Sequence, residues 1–175
     1  CMLRGAHVTL VNASVSVEPP MFVDVVNVTS AADMADVVKS KAAEQDIIIM
    51  TAAVADFCPS HPADEKIKKN DSSYESVIEL ERTEDILSYL GAHKAKGQLI
   101  CGFSMETQNM LENSKAKLAK KNADMIVANN LKVAGAGFGT DTNVVTLITA
   151  DDCTELEIMD KSCVAARIMD RLLQM

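Results

Sequence analysis

The 175-residue sequence contains no tryptophan, and only 3% of its residues are aromatic. A core without large rings must be assembled from aliphatic side chains, and the 48% apolar content, ten methionines included, is ample for one domain of this length. Nowhere does an apolar run approach the roughly 18 residues that cross a bilayer, and no signal peptide is visible, so a cytoplasmic protein is expected. Positive charge is also short. Seventeen Lys and Arg face 25 Asp and Glu, a formal net charge of -8 with a pI near 4.8. That balance excludes a general binder of nucleic acid or of a membrane surface, both of which need a positive face. Any anionic ligand would have to meet a local basic pocket.

Metal-ligand and disulfide patterns are missing too. The five cysteines (Cys1, Cys58, Cys101, Cys153, Cys163) form an odd set without a C-x-x-C pair, and the three histidines are scattered. A reduced protein without structural zinc follows. Cys58 has no histidine beside it in sequence to mark it as a nucleophile.

What the sequence does have is alternation of apolar runs with helical periods. Strands are expected over 6–11, 22–28, 46–51, 76–81, 98–103 and 124–128, and a late β pair over 143–149 and 154–158. Helices are expected after Ser30, which forms a capping-box pattern with Asp33 ahead of Met34, Val37 and Val38, and over 84–94 and 108–122. A last helix presents Val164, Ile168, Leu172 and Leu173 on one face. Strand and helix in turn predict an α/β fold, a three-layer Rossmann-like sandwich with a mainly parallel central sheet and the late β pair as an addition. Residues 1–175 read as a single domain. Its opening CMLRGAH reads as the tail of a helix, so the opening strand and the Gly-rich turn of a doubly wound fold are expected to be missing from this chain.

One stretch stands apart. DIIIMTAAVADFCPSHPADEKIKKN, residues 46–70, begins as a strand covered on both faces. It then passes through small residues, a lone carboxylate (Asp56) and two prolines to four charges within residues 65–69. Open α/β sheets bind ligands at the carboxyl ends of their strands, and a lone Asp followed by lysines there suggests an anionic ligand with a metal. Two further stretches converge on the same sheet edge: GFSMET at 102–107 and KAKLAKKNADMIVANN at 115–130. Lys117 and Lys121, four apart, share one helical face and can meet one polyphosphate.

AAVAD, the ten positions from Asp56 to Lys66 in EKIKK, and GF-x-x-ET together resemble the phosphopantothenoylcysteine synthetase family, the ligase half of the bacterial bifunctional coenzyme A biosynthesis flavoprotein. The resemblance runs from Gly5 to the C-terminus. It implies an enzyme that activates 4'-phosphopantothenate with CTP through an acyl-cytidylate and joins it to cysteine, with Mg²⁺, as a homodimer. Position by position, it implies that Met50, Thr51, Ala52 and Ala53 line the nucleotide site through their backbones. Asp56 would hold the nucleotide or its magnesium. Lys66 would be the catalytic cation at the reacting phosphate, Glu84, Asp85, Ile86 and Leu87 with Phe103 would enclose the nucleoside, and Lys117 and Lys121 would reach the triphosphate. NDSSYES at 70–76 resembles the family's flap over the site, whereas its N-terminal phosphate loop has no counterpart here. CTP and ATP are not distinguished by the residues. Two other readings stand beside the ligase: a nucleotide-binding fragment of the same fold without complete catalysis, and an NAD-dependent Rossmann oxidoreductase. Against the last, G-x-G-x-x-G is absent and GAGFG at 135–139 comes late.

Overall fold

A computed structural model describes all residues except 14, 16, 64, 66–76, 106–108, 131–136 and 138. After a 3-10 turn at Met2–Arg4, the chain forms β1 (Thr9–Asn12), β2 (Asp24–Asn27), α1 (Ala31–Ala42), β3 (Ile47–Met50), β4 (Phe57–Pro59) and β5 (Leu80–Arg82). It continues through α2 (Ile86–Ala92), β6 (Leu99–Met105), α3 (Met110–Lys120), β7 (Met125–Asn129), β8 (Thr142–Asn143), β9 (Val145–Ile148), β10 (Cys153–Glu155), β11 (Met159–Asp160) and α4 (Lys161–Leu172).

The main sheet has the order β10-β9-β7-β6-β3. β3, β6 and β7 run parallel, while β9 and β10 add antiparallel pairings at one edge. The expected late β pair is therefore real and extends the central sheet. β1 and β2 form a separate parallel pair, and β4–β5 and β8–β11 are short antiparallel ones.

Apolar residues alternate between the two faces of this sheet. On one side Cys101, Met125, Val127, Val145 and Leu147 pack against Val164, Ile168, Met169 and Leu172 of α4, with Ile47 and Ile49 at the margin. On the other, Ile100 packs with Met34, Ala35 and Val38 of α1 and Ile86 and Leu90 of α2, flanked by Ile48 and Met50. Burial on both faces is why the predicted strands read as unbroken apolar runs rather than alternating ones. Met125, Ile126, Val127 and Ala128 are all 0% exposed, each large side chain contributing about 1.5–3 kcal/mol by leaving water.

The α1 start follows the sequence signature. Ser30 Oγ accepts from the Asp33 N–H at 3.1 Å, and Asp33 accepts from the Ser30 N–H at 2.9 Å, which satisfies two orphan donors reciprocally. The far end is tied down by buried Gln98, whose amide donates to the Ala42 carbonyl at 2.7 Å and to that of Gln45.

Three expectations need correction. Leu173 is 62% exposed, and Met169 takes its place beside Val164, Ile168 and Leu172, because positions 164, 168, 169 and 172 centre the buried stripe. The strand expected over 76–81 is only Leu80–Arg82 among the described residues, exposed at every position, since it pairs with β4 and not with the core. β4 itself lies where the sequence indicates a loop; its Pro59 is tolerated because such a two-stranded ladder is all edge.

Candidate functional site

A cleft lies beyond the carboxyl ends of β3 and β6. Its walls are Met50, Ala52, Val54, Ala55, Asp56, Thr83, Glu84, Asp85, Ile86, Leu87, Phe103, Lys117 and Lys121. Most of the residues singled out in the sequence for nucleotide binding thus share one cavity, although they come from four separate parts of the chain. Thr51 and Ala53 are not among its walls; Thr51 lines an adjoining groove between β1 and β3. Lys66, the candidate catalytic residue, lies outside the described residues, as do 67–76 and the Glu106 and Thr107 of GFSMET.

The floor is made by close approach of β6 to α2. A Cβ at Gly102 would lie 2.7 Å from Leu87 Cδ2, so the absent side chain is what lets Leu87 pack over the strand, next to Phe103. On one side, the β4–β5 ladder and Thr83 hold the segment carrying Asp56. The Thr83 N–H donates to the Asp56 carbonyl at 3.0 Å, and its hydroxyl donates to the Ala55 carbonyl. The Asp56 side chain itself makes no hydrogen bond or ion pair among the described residues, which leaves its carboxylate available to a ligand. Thr83 gave no signal in the sequence, because its role is to bond a backbone 27 residues earlier.

Opposite Asp56 stand two cations that already have partners. The Lys117 ammonium donates to the Phe103 carbonyl at 2.9 Å. That of Lys121, 13% exposed, pairs with Asp85 and donates to Ser88 Oγ at 2.9 Å. Asp85 also caps α2, accepting from the Ser88 N–H at 3.0 Å. Partial burial pushes the Asp85 carboxyl upward, but the Lys121 ammonium and the Ser88 donors outweigh it and hold the group below the usual carboxylate range. Glu84 is held from outside by Lys39 of α1 at 2.7 Å. Its carboxylate raises the Lys39 ammonium's pKa more than burial lowers it.

Lys121 is positioned by backbone as well. α2 meets the end of α3 so closely that a Cβ at Gly91 would lie 1.8 Å from the Lys121 carbonyl oxygen, and Asn122 Nδ2 donates to the Gly91 carbonyl at 2.7 Å. Chemically, the cleft offers one unpaired carboxylate, two lysines that can exchange internal partners for anionic oxygens, and an apolar wall of Ile86, Leu87 and Phe103. Such a set suits a polyphosphate carrying a flat, largely apolar group. Among the described residues no three His, Cys, Asp or Glu side chains gather as a metal site, no helix is long and apolar enough to cross a membrane, and all five cysteines are free.

A family model described as DNA/pantothenate metabolism flavoprotein C-terminal domain matches residues 1–175. The chain is 45% identical over 170 residues to the coenzyme A biosynthesis bifunctional protein CoaBC of Bacillus subtilis (strain 168), a match over 96% of this chain and 41% of that protein. It is 44% identical over 171 residues to a cysteine/cysteine sulfinic acid decarboxylase of an unknown prokaryotic organism, covering 97% of this chain and 47% of that protein. The chain therefore spans less than half the length of these two curated relatives. The crystal structure of the C-terminal domain of coenzyme A biosynthesis bifunctional protein CoaBC superposes with a TM-score of 0.80 at 40% identity, over 99% of this chain and 78% of that one. With a model matched from end to end and the fold shared with that solved domain, the chain belongs to the family of DNA/pantothenate metabolism flavoprotein C-terminal domains.

Proposed function

We propose that this chain carries the phosphopantothenate–cysteine ligase reaction of coenzyme A biosynthesis, with CTP as the activating nucleotide. The observation that carries the reading is the cleft that joins Asp56, Phe103, Lys117 and Lys121 at the carboxyl edge of the parallel strands, together with relatives named for coenzyme A biosynthesis. In the first step a carboxylate oxygen of 4'-phosphopantothenate attacks the α-phosphorus of CTP, the bond to the bridging oxygen breaks, and pyrophosphate leaves. In the second the cysteine amine attacks the acyl carbon, and CMP leaves with the electron pair of the broken acyl–oxygen bond.

This chemistry asks the protein for positioning and charge neutralisation more than for a nucleophile. Lys117 and Lys121 would bind the outer phosphates, releasing the Phe103 carbonyl and Asp85 respectively. Met50 and Ala52 would approach the nucleotide through their backbones, with Thr51 and Ala53 beside them, while residues 84–87 and Phe103 enclose the nucleoside. Lys66 is the proposed catalytic residue, its ammonium meeting charge that gathers on the α-phosphate's non-bridging oxygens. Asp56 fits a magnesium ion arriving with the triphosphate, since Mg²⁺ commonly takes one or two carboxylates and completes its shell with phosphate oxygens and water. Such an ion supplies neutralisation of phosphate charge. A homodimer and a cytoplasmic setting belong to the same reading, by resemblance to the family.

Calorimetric titration with CTP, ATP and NAD, with and without Mg²⁺, tests it. CTP should bind, and more tightly with the metal; NAD binding without nucleoside triphosphate binding would sink the ligase reading. CTP binding with no pyrophosphate release on adding 4'-phosphopantothenate would instead assign this chain the nucleotide-binding role without complete catalysis.

A further inference from the structure

Helix α3 and its C-cap carry both lysines of the cleft on a thin apolar footing. The buried residues of this 11-residue helix are Ser114 and Leu118. One aliphatic side chain fixes neither the rotation nor the slide of a helix, because apolar burial has no preferred direction.

Direction comes from polar contacts with β6. Side chains in a strand alternate faces with a period of two, so Ile100, Gly102 and Ser104 share one face of the sheet. Ile100 packs with α1 and α2, Gly102 admits Leu87 of α2, and Ser104 meets α3. The Ser104 and Ser114 hydroxyls share a hydrogen bond of 2.7 Å, with Ser104 3% and Ser114 0% exposed. At that burial a hydroxyl that loses its partner is costly, so the bond favours one register of α3 on β6. The neighbouring Phe103 carbonyl makes the second contact. The Leu99 N–H donates to the Asp46 carbonyl, which marks the side of β6 that faces β3, and the Phe103 peptide, two strand periods on, faces the same side. β3 ends at Met50, opposite Gly102. Just past that end, Lys117 donates to the Phe103 carbonyl at 2.9 Å.

A ligand affects the two contacts differently. An anion that takes the Lys117 ammonium removes the bond to Phe103, whereas the serine pair lies under the helix and away from the cleft walls. Lys117 follows Ser114 by three positions, on the same side of α3. Once the ammonium has left Phe103, the point from which it reaches the ligand is set by the serine pair. Lys121 has its own support at the helix end, from Asp85, Ser88 and the close approach of Gly91.

We propose that Ser104 and Ser114 are positioning residues for Lys117, holding α3 in register on β6 while the ammonium exchanges the Phe103 carbonyl for a phosphate oxygen of the nucleotide. The assignment rests on the nucleotide reading of the cleft. The two lysines then depend on separate supports, and loosening the serine pair costs what Lys117 contributes while sparing what Lys121 contributes.

Double-mutant cycles read by calorimetric titration with CTP and Mg²⁺ test this. Ser104→Ala breaks the bond mildly, since Ser114 can turn its hydroxyl to the carbonyl four residues back on its own helix. The paired Ser104→Ala/Ser114→Ala variant, which leaves no hydroxyl without a partner, should keep a urea midpoint near the parent's. Each should weaken CTP binding by on the order of fivefold in the parent and in Lys121→Gln, but by less than about twofold in Lys117→Gln. A loss of the same size in the Lys117→Gln background would make the pair a general support of the fold and overturn the assignment, as would CTP affinity unchanged in both serine variants. A parent that binds no CTP would overturn the nucleotide reading and this assignment with it, whereas CTP binding that Lys117→Gln weakens, without coupling to the serines, overturns the assignment alone.

Discussion

Replacing Gly91 by alanine sets two effects of opposite sign against each other. In an ordinary helix interior the change would stabilise by about 1 kcal/mol, because alanine loses less backbone entropy. Here the new Cβ would lie 1.8 Å from the Lys121 carbonyl oxygen and 3.2 Å from Asn122 Cβ. The first neighbour is backbone and cannot rotate away, so the end of α3 must retreat by roughly 1 Å; overpacking of this kind typically costs about 1–3 kcal/mol and occasionally more. At 1.8 Å from backbone the cost belongs at the upper end of that range, about 2–3 kcal/mol, so the clash should win, leaving Gly91→Ala about 1–2 kcal/mol less stable than the parent. For a domain of this size that is a fall in Tm of about 2–8 °C. Because the displaced residue is Lys121, CTP affinity should drop by on the order of tenfold as well. Gly97→Ala is the control. Gly97 also needs a special conformation (φ +83°), but a Cβ there meets nothing within 4 Å, so it should lose stability by backbone strain while leaving CTP binding alone. Urea denaturation and calorimetry read both quantities. A Gly91→Ala protein as stable as the parent would mean that helix propensity prevails and that α2 and α3 do not pack this closely.

Asp85→Asn keeps a good helix cap but removes the charge facing Lys121, so it should cost less than about 1 kcal/mol, the carboxylate being half-exposed. Since the folded-state pKa of Asp85 is depressed, the parent's advantage should be complete above about pH 5 and vanish as acidification carries Asp85 through its lowered pKa, below about pH 4; a gap in urea midpoints that widens between pH 5 and pH 3 contradicts this. Lys66→Gln should slow pyrophosphate release in single turnovers by on the order of a hundredfold with a smaller effect on CTP binding, whereas Lys117→Gln should act mainly on binding. A Lys66→Gln rate within about threefold of the parent, with weakened CTP binding, would make Lys66 a binding residue only. Burial pushes the Cys101 thiol up to about 12, with a smaller push from Asp124, so at pH 8 a thiol reagent should label exposed Cys1, Cys153 and Cys163 rapidly and Cys101 only on unfolding; fast labelling of Cys101 in the folded protein would refute its burial.

Much of this architecture could be read from residue order because the relevant interactions are local or are imposed uniformly along an element. The Ser30 and Asp33 capping box spans four residues and needs no partner elsewhere. β3, β6 and β7 are packed from both faces, so Ile47–Met50, Leu99–Cys101 and Met125–Ala128 are apolar without a break and the runs are unmistakable. Gathering of the AAVAD, GF and KAKLAKK stretches at one sheet edge follows from each lying just after, or on the helix following, a parallel strand. β4 escaped because three residues, only Cys58 of them part-buried, carry neither periodicity nor an apolar run, and β5 was expected over 76–81, ahead of where Leu80–Arg82 forms it. Leu173 was misplaced because at a helix end one residue is worth 100° of rotation, enough to carry a side chain from core to solvent. Gly91 reads in sequence only as a weak point in a helix; its purpose is the approach of another backbone 30 residues away.

By itself the sequence determined the α/β class, the order of the principal strands and helices, and the set of residues from which a site for an anionic ligand could be assembled, since these depend on periodicity, capping and composition within short windows. Tertiary structure alone decided which of those residues share a cleft, that Lys117 and Lys121 already hold the Phe103 carbonyl and Asp85, that Thr83 fixes the segment bearing Asp56, and that the parallel strands divide at a groove between β1 and β3. Each of these depends on distances between groups far apart in the chain, set by how helices and strands pack in three dimensions, and no local pattern of residues encodes them.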